Sequence, residues 1–325
     1  MSNTYSKSLR ILSLFERLNK GEFIKRKTAA DYYGVSMKTI QRDIEELRLY
    51  LSVFYIEETA KIIYASDKEG YILIRDETNW LNCQEILGLS KILLESRAFS
   101  EDEMDSLLKK LVVQSPPQLR NHIEAVIRNE HFHYNPLEHG DLLLKKLWDL
   151  SQAVKKNKII EIKYHKPNKF NSVIRKLEPL GLMFSEYYFY LIAQMHDKEN
   201  DFKIPYRLDR IIEYNILDEN YKIPYSDRFQ EGEFRKRIQF MTPGKLLKIK
   251  FKFWGRSIQA VLDRLPTAKV INQQKESVYI VEAEVYGRGI KMWLLSQGQY
   301  IEVIEPEDFR QEMKDTLEDM VSVYK

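Results

Sequence analysis

The apolar residues of this 325-residue chain change their period repeatedly, and each change limits what its segment can become. Leu9, Ile11, Leu12, Leu14, Phe15 and Leu18 recur at helical spacing and Gly21 follows as a stop, which predicts a helix over residues 6–20. Beyond Leu51 the chain alternates instead, in Ile62-Ile63-Tyr64 and Tyr71-Ile72-Leu73-Ile74, the period of half-buried strands. From Trp80 to Ile127 the helical spacing returns. Short strand-like runs follow between Ile159 and Leu208, and from Lys245 onward strand and helix patterns interleave. One bundle or one sheet cannot satisfy all of these, so the fold class is α+β and multidomain. At roughly 100–200 residues per domain, the length suits two or three.

Charge distribution narrows the function. The whole chain carries a net charge of +3, whereas residues 1–50 hold ten Lys/Arg against six Asp/Glu, a surplus of four. An anion-binding surface is therefore expected at the N-terminal end. With 44% hydrophobic and 30% charged residues the balance is that of a soluble globular protein. No stretch approaches the roughly 20 apolar residues of a membrane span, and the first residues lack the apolar core of a signal peptide. A cytoplasmic location without a membrane partner is the expectation. The lone Cys83 permits neither an intramolecular disulfide nor a Cys-rich zinc site and reads as a small apolar residue.

Within the basic segment, Thr28 reads as the N-cap of a short second helix over residues 29–33. Gly34 supplies the left-handed turn that ends it, and Ser36 caps a third helix. In that helix Ile40, Ile44 and Leu47 face inward, leaving Lys38, Thr39, Gln41 and Arg42 on the outer surface. Helix, glycine turn, helix is the pattern of a helix-turn-helix, and the strands after Leu51, joined through Asp67-Lys68-Glu69-Gly70, form a wing. The run from Ala29-Ala30 through Gly34-Val35-Ser36 to Thr39-Ile40-Gln41-Arg42-Asp43-Ile44, with Ile63-Tyr64 and Gly70-Tyr71, resembles the DeoR-like winged helix-turn-helix over about residues 5–76. The resemblance implies binding to a double-stranded DNA operator. Gln41 and Lys38 are the base-edge candidates, and Ser36, Thr39 and Thr28 add hydroxyls nearby. Lys25, Arg26 and Lys27 are placed to meet the phosphate backbone at a helix N-terminus. Arg42 has two readings, a phosphate contact or an ion pair with Glu45 or Glu46.

The helical stretch beyond Trp80 is broken at Pro116-Pro117 and ends near Asn135-Pro136. Its apolar spacing suits either subunit pairing or an intrachain bundle. After a helix over residues 142–154, strands are expected at 159–164, 172–174, 181–184, 188–193 and 203–208, dense enough for a small barrel. The segment Phe184-Ser185-Glu186-Tyr187-Tyr188-Phe189-Tyr190-Leu191-Ile192-Ala193, followed by Tyr206-Arg207-Leu208-Asp209-Arg210-Ile211, resembles the WYL domain, an Sm-like barrel, with Phe189 in place of the name-giving Trp. Alternation puts Phe189, Leu191 and Ala193 on the barrel side and leaves Tyr190 free to line a surface. A tyrosine beside arginines suits a base and its phosphate. The resemblance likewise implies a nucleotide or oligonucleotide effector, with Tyr164, His165, Tyr190, Arg207 and Arg210 as candidate contacts. The competing reading is that Arg207 and Arg210 pair with Asp209, Glu161 or Glu178 and only stabilise the barrel.

From Lys245 the order strand, helix, strand, strand, helix, strand, helix predicts an α/β sandwich. Trp293-Leu294-Leu295 through Gly298, Val303, Pro306 and the last helix resembles the WCX extension that follows WYL domains. Arg256, Arg288 and Lys291 are secondary candidates for an effector or a neighbouring subunit. The expected organisation is a winged helix-turn-helix over residues 1–78, a helical linker and dimerisation region over 79–137, the WYL barrel over 138–222, a linker over 223–244 and WCX over 245–325.

No Walker loop, Gly-rich dinucleotide fingerprint, Gly-x-Ser-x-Gly elbow or His-Glu-x-x-His occurs. His131 and His133 share a face if extended, but no Cys or carboxylate pattern completes a metal site. No catalytic residue, metal or cofactor is expected. The chain thus reads as a homodimeric transcription regulator, a repressor acting on an inverted repeat. The alternative is an RNA- or single-strand-binding accessory protein that modulates a nuclease or defence system.

Overall fold

The computed structural model describes residues 5–54, 60–66, 69–75, 81–115, 117–138, 140–166, 171–196, 203–224, 228–275 and 277–325. Among them, eleven α-helices and twelve strands in three antiparallel sheets fall into two compact units, Met1–Gly140 and Asp141–Lys325. None of the described helices is long and apolar enough to cross a membrane.

The first unit opens with α1 (Lys7–Asn19), β1 (Ile24–Lys25), α2 (Arg26–Tyr33) and α3 (Met37–Phe54), followed by the hairpin β2 (Ala60–Ala65) and β3 (Gly70–Arg75). Leu14 and Leu18 of α1 pack with Ile24, Tyr33, Ile40, Ile44, Leu47 and Ile62, so the inward face expected for the third helix is its buried face. Gly34 ends α2 at φ 64, the left-handed geometry that glycine adopts most cheaply. The Ser36 hydroxyl accepts the Thr39 amide N–H at 3.1 Å, as a cap should. Thr28 is not a cap. β1 pairs with Gly70 and Tyr71 of β3, delivering the chain to the helix three residues early, and the N-cap is Lys25, with no side-chain bond. Asp67 and Lys68 of the expected wing turn lie outside the described residues, as do Trp80 and Pro116.

The helical stretch resolves into α4 (Cys83–Ser96), α5 (Glu101–Val113) and α6 (Pro117–Phe132). Asn82 and Glu85 form a reciprocal capping box on α4, and Ser100 caps α5. Ile86, Leu94, Met104, Leu108, Val112, Ile123 and Ile127 are buried, so intrachain packing accounts for much of the apolar spacing.

In the second unit α7 (Leu143–Lys155) precedes β4 (Lys158–His165), β5 (Ser172–Ser185), β6 (Tyr188–Met195), β7 (Ile204–Arg207) and β8 (Ile211–Asn220). Two expected strands merge into β5, whose register shifts between Pro179 and Gly181. That shift inverts the alternation, so Leu177 and Leu182, an odd number of residues apart, pack into the same core. The strands are ordered β7-β6-β5-β4-β8, and among the described residues this is an open sheet rather than the expected closed barrel. The physical reason is the turn at Leu208–Arg210. It winds as a 3-10 helix and carries the chain from one sheet edge to the other without pairing β7 to β8.

The sheet has two covered faces. Leu143, Leu150 and Ala153 of α7 pack on Ile160, Ile162, Leu177, Leu191, Ala193 and Tyr206, with Phe189 at the margin, as expected. The region expected to be a plain linker contains α8 (Glu231–Arg237), whose Phe234, followed by Ile238, is buried against Met183 and Ile192 on the other face. Gly181 makes that approach possible, because a Cβ there would lie 2.2 Å from Glu231 Oε1, an atom that accepts the Leu182 N–H at 3.0 Å.

The chain ends as β9 (Leu246–Phe253), α9 (Ile258–Arg264), β10 (Lys269–Lys275), β11 (Val278–Tyr286), α10 (Ile290–Ser296), β12 (Ile301–Glu305) and α11 (Glu307–Ser322). The sheet order β10-β11-β9-β12 puts Phe251, Val281 and Val303 under Leu294, Phe309 and Met313 of the helices.

Candidate functional site

The short β1 strand fixes Lys25 beside the wing, and Arg26 and Lys27 open α2. A cleft of about 700 Å³ results, lined by Lys25, Arg26, Lys27, Thr28, Met37, Lys38, Gln41, Tyr64 and Glu69. The fold therefore brings six of the sequence candidates, Lys25, Arg26, Lys27, Thr28, Lys38 and Gln41, to one surface. Ser36, Thr39 and Arg42 lie outside it, and the Ser36 and Thr39 hydroxyls hydrogen-bond each other at 2.9 Å.

Electrostatically this surface is unfinished. Cations at a helix N-terminus oppose the positive end of its dipole. Even so, Lys25, Lys27, Lys38 and Arg42 are exposed and form no ion pair with any described carboxylate. The ion-pair reading of Arg42 lacks its partners, since Glu45 is held by Arg48 at 2.8 Å and Glu46 by Lys7 at 2.5 Å. The exception to the positive lining is Glu69, at φ 50 on the wing. Arg26 lies with its guanidinium carbon 5.0 Å from the Tyr64 ring centroid and donates from Nη2 to Tyr64 Oη at 3.3 Å, joining α2 to the wing. Sequence reasoning missed Tyr64 and Met37 as lining residues, because only the unrecognised β1 strand draws the wing against α2.

Beneath the outer surface lies a buried ion pair. Arg10 of α1 donates from Nε to Asp43 Oδ2 at 2.5 Å and from Nη2 to Oδ1 at 3.2 Å, with the two side chains only 8% and 2% exposed. Hydrogen bonding to Asp43 is the main reason that the Arg10 guanidinium titrates above its ordinary value. This fork fixes α3 on α1 and explains the Asp of the Thr-Ile-x-Arg-Asp-Ile string. Arg48 repeats the device toward the wing, donating to the Ile62 carbonyl at 2.9 Å.

In the second unit Tyr190 pairs across strands with Arg207. Arg207 lies 3.3 Å above the centroid of the Tyr188 ring and grips Asp209 twice, at 3.1 and 2.6 Å. Of the two readings offered for Arg207, the pairing with Asp209 is the one observed, though the stack on Tyr188 was not foreseen. Tyr190 is not free to line a surface as expected. It is half-buried beside Met183, Ile192 and Phe234, and desolvation pushes its phenol up to about 12. α8, whose single buried apolar residue left no periodic signal, covers that face. Tyr164 packs on the opposite core, and its hydroxyl accepts the Arg207 amide N–H at 3.4 Å. No hydrogen bond or ion pair among the described residues joins exposed His165, or Arg210, to this group.

The secondary candidates divide. Arg288 pairs with Asp308 and with Glu312 at 2.7 Å, and Lys291 holds Glu312 at 2.8 Å, while Arg256 is exposed. His131 lies 3.6 Å from Asp105, and no group of His, Cys, Asp and Glu among the described residues is arranged to hold a metal.

Comparison with known proteins agrees with the sequence reading at the level of domains. The WYL domain model matches residues 145–216 and the WCX domain model residues 245–321. No curated protein matches the chain. Among solved structures, proteasome accessory factor B/C (PafBC) of Arthrobacter aurescens aligns at 16% identity and a TM-score of 0.30, over 94% of this chain and 46% of that one. A CRISPR Cas-related protein aligns at 16% identity and a TM-score of 0.38, over 69% of this chain and 64% of that one. The chain thus spans about half the length of the first and less than two thirds of the second. Residues 145–216 are a WYL domain and residues 245–321 a WCX domain, so this is a WYL- and WCX-containing protein.

Proposed function

We propose that the chain is a sequence-specific DNA-binding transcription regulator, a repressor rather than an enzyme, whose WYL domain senses a nucleotide or oligonucleotide effector. The observation that carries this reading is the cleft where Lys25, Lys27 and Lys38 converge beside Gln41 with no ion-pair partner among the described residues, on a helix-turn-helix whose third helix is held by the Arg10–Asp43 fork. Phosphates offset the repulsion among such cations, and Gln41 and Lys38 are of the types that read base edges in the major groove.

A single recognition helix reads few base pairs, and each correct pair adds only about 1–3 kcal/mol of discrimination. Adequate specificity therefore calls for a homodimer on an inverted repeat. In the WYL domain, the Tyr188 ring and the Arg207 guanidinium stacked on it provide the aromatic and cationic groups suited to a base and its phosphate. Genome-wide footprinting with the purified full chain tests the reading. Discrete protected inverted repeats are expected, and uniform protection without preferred sites would overturn it.

A further inference from the structure

Arg264, the last residue of α9, carries a donor with nothing to donate to. Its Nε is buried and has no hydrogen-bond partner among the described residues. Its guanidinium carbon lies 5.0 Å from the centroid of the Phe240 ring, and its Nη2 is 3.5 Å from Glu186 Oε1, an ion pair too long for a good hydrogen bond. Buried guanidinium nitrogens are almost always satisfied, so an orphan points to an acceptor that arrives from outside.

The surroundings show where that acceptor would fit. Glu186 sits at φ 56 in the turn between β5 and β6, two residues before Tyr188, whose ring carries Arg207. Phe240 and Met241 are consecutive left-handed residues, at φ 50 and 48, and Met241 packs, as Tyr190 does, against the cluster of Met183, Ile192, Phe234 and Ile238. A loop in this costly conformation thus holds a half-exposed aromatic ring beneath Arg264 and ties it to the Tyr188–Tyr190 face. Two arginines, one per domain, each lie over an aromatic ring, Arg207 over Tyr188 and Arg264 over Phe240. Arg207 is held by Asp209 through Nε and Nη2, whereas Arg264 is only loosely held by Glu186.

We propose that Arg264 is an anion-binding residue of the sensor site, receiving a phosphate oxygen of the effector at its Nε, with Glu186 as the internal carboxylate that the phosphate displaces. This rests on the WYL domain sensing a nucleotide or oligonucleotide, and assigns the WCX domain a direct part in that site. Arginine suits the role because its planar fork meets phosphate oxygens in pairs.

The test is equilibrium binding of a labelled oligothymidylate to the full chain across a salt series, with unlabelled thymidine and inorganic phosphate as competitors. Arg264→Gln should weaken binding about tenfold and lower the salt slope by about 0.7, the loss of one phosphate contact on a single strand. Glu186→Gln should tighten binding several-fold, because the competing carboxylate is gone. A purely structural Arg264 would move the unfolding midpoint but neither of these. Inorganic phosphate should compete with the strand on wild type and not on Arg264→Gln, and thymidine should compete on neither. Unchanged affinity and slope in Arg264→Gln, with Arg207→Lys impaired, would overturn the inference while leaving the sensor reading intact. No binding of any probe by wild type would overturn both. If Arg264→Gln does not fold, Glu186→Gln decides, and equal or weaker binding counts against the proposal.

Discussion

Lys25 and Gln41 line the same cleft but are expected to act differently. Lys25 has no base-reading amide and sits where a phosphate would approach α2, so Lys25→Ala should weaken all duplexes alike and lower the salt slope by about one. Gln41→Ala should instead relax preference at one base position, with little change in slope. Competition titrations with single-base operator variants separate the two. Asp43 belongs to the scaffold. Removing it strands the Arg10 guanidinium, so Asp43→Ala should cost about 3–5 kcal/mol in urea unfolding, whereas Arg10→Met with Asp43→Leu should recover most of that loss. The outward residues of α3 were legible in the sequence because helical periodicity alone sorts inside from outside. The partnership of Arg10 in α1 and Asp43 in α3, 33 residues apart, was not, since no local pattern links them.

At the scale of elements, the readable segments were those with many residues on one period, such as α1, α3, α7 and β6. The ten-residue β8, beyond the last expected strand at 203–208, escaped, and so did two short elements. β1 has two residues and therefore no period, and α8 has seven with Phe234 as its only buried residue. Both omissions mattered, because β1 builds the cleft and α8 buries the face on which Tyr190 lies. That burial has a measurable consequence. Desolvation raises the Tyr190 and Tyr221 phenols from 10.0 to about 12, so the folded state favours the neutral form beyond the range of the unfolded chain. The stability tied to these neutral phenols is complete below pH 10 and is lost as pH rises toward 12. Denaturation midpoints should fall across that window, with less fall in Tyr190→Phe; a flat profile would contradict the burial. Gly34 offers a cleaner backbone test. Nothing lies within 4 Å of a Cβ built there, so Gly34→Ala pays only for its left-handed φ of 64, about 1 kcal/mol by thermal unfolding.

At the scale of the whole molecule, the chain places an incomplete electrostatic surface in one unit and an aromatic, arginine-bearing sheet face in the other. Regulation requires the effector to bind one state of the protein better than another, with typical couplings of about 1–3 kcal/mol. Any such coupling presupposes the proposal that the N-terminal unit reads duplex sequence through α3. That proposal is tested most directly by selecting bound duplexes from a random pool with the full chain and with the folded Lys38→Ala, Gln41→Ala, Arg42→Ala triple variant. Enrichment of one inverted repeat by the wild type, and its loss in the triple variant, is the result the account predicts. Enrichment of the same sequence by both proteins, or of none by the wild type, would contradict it.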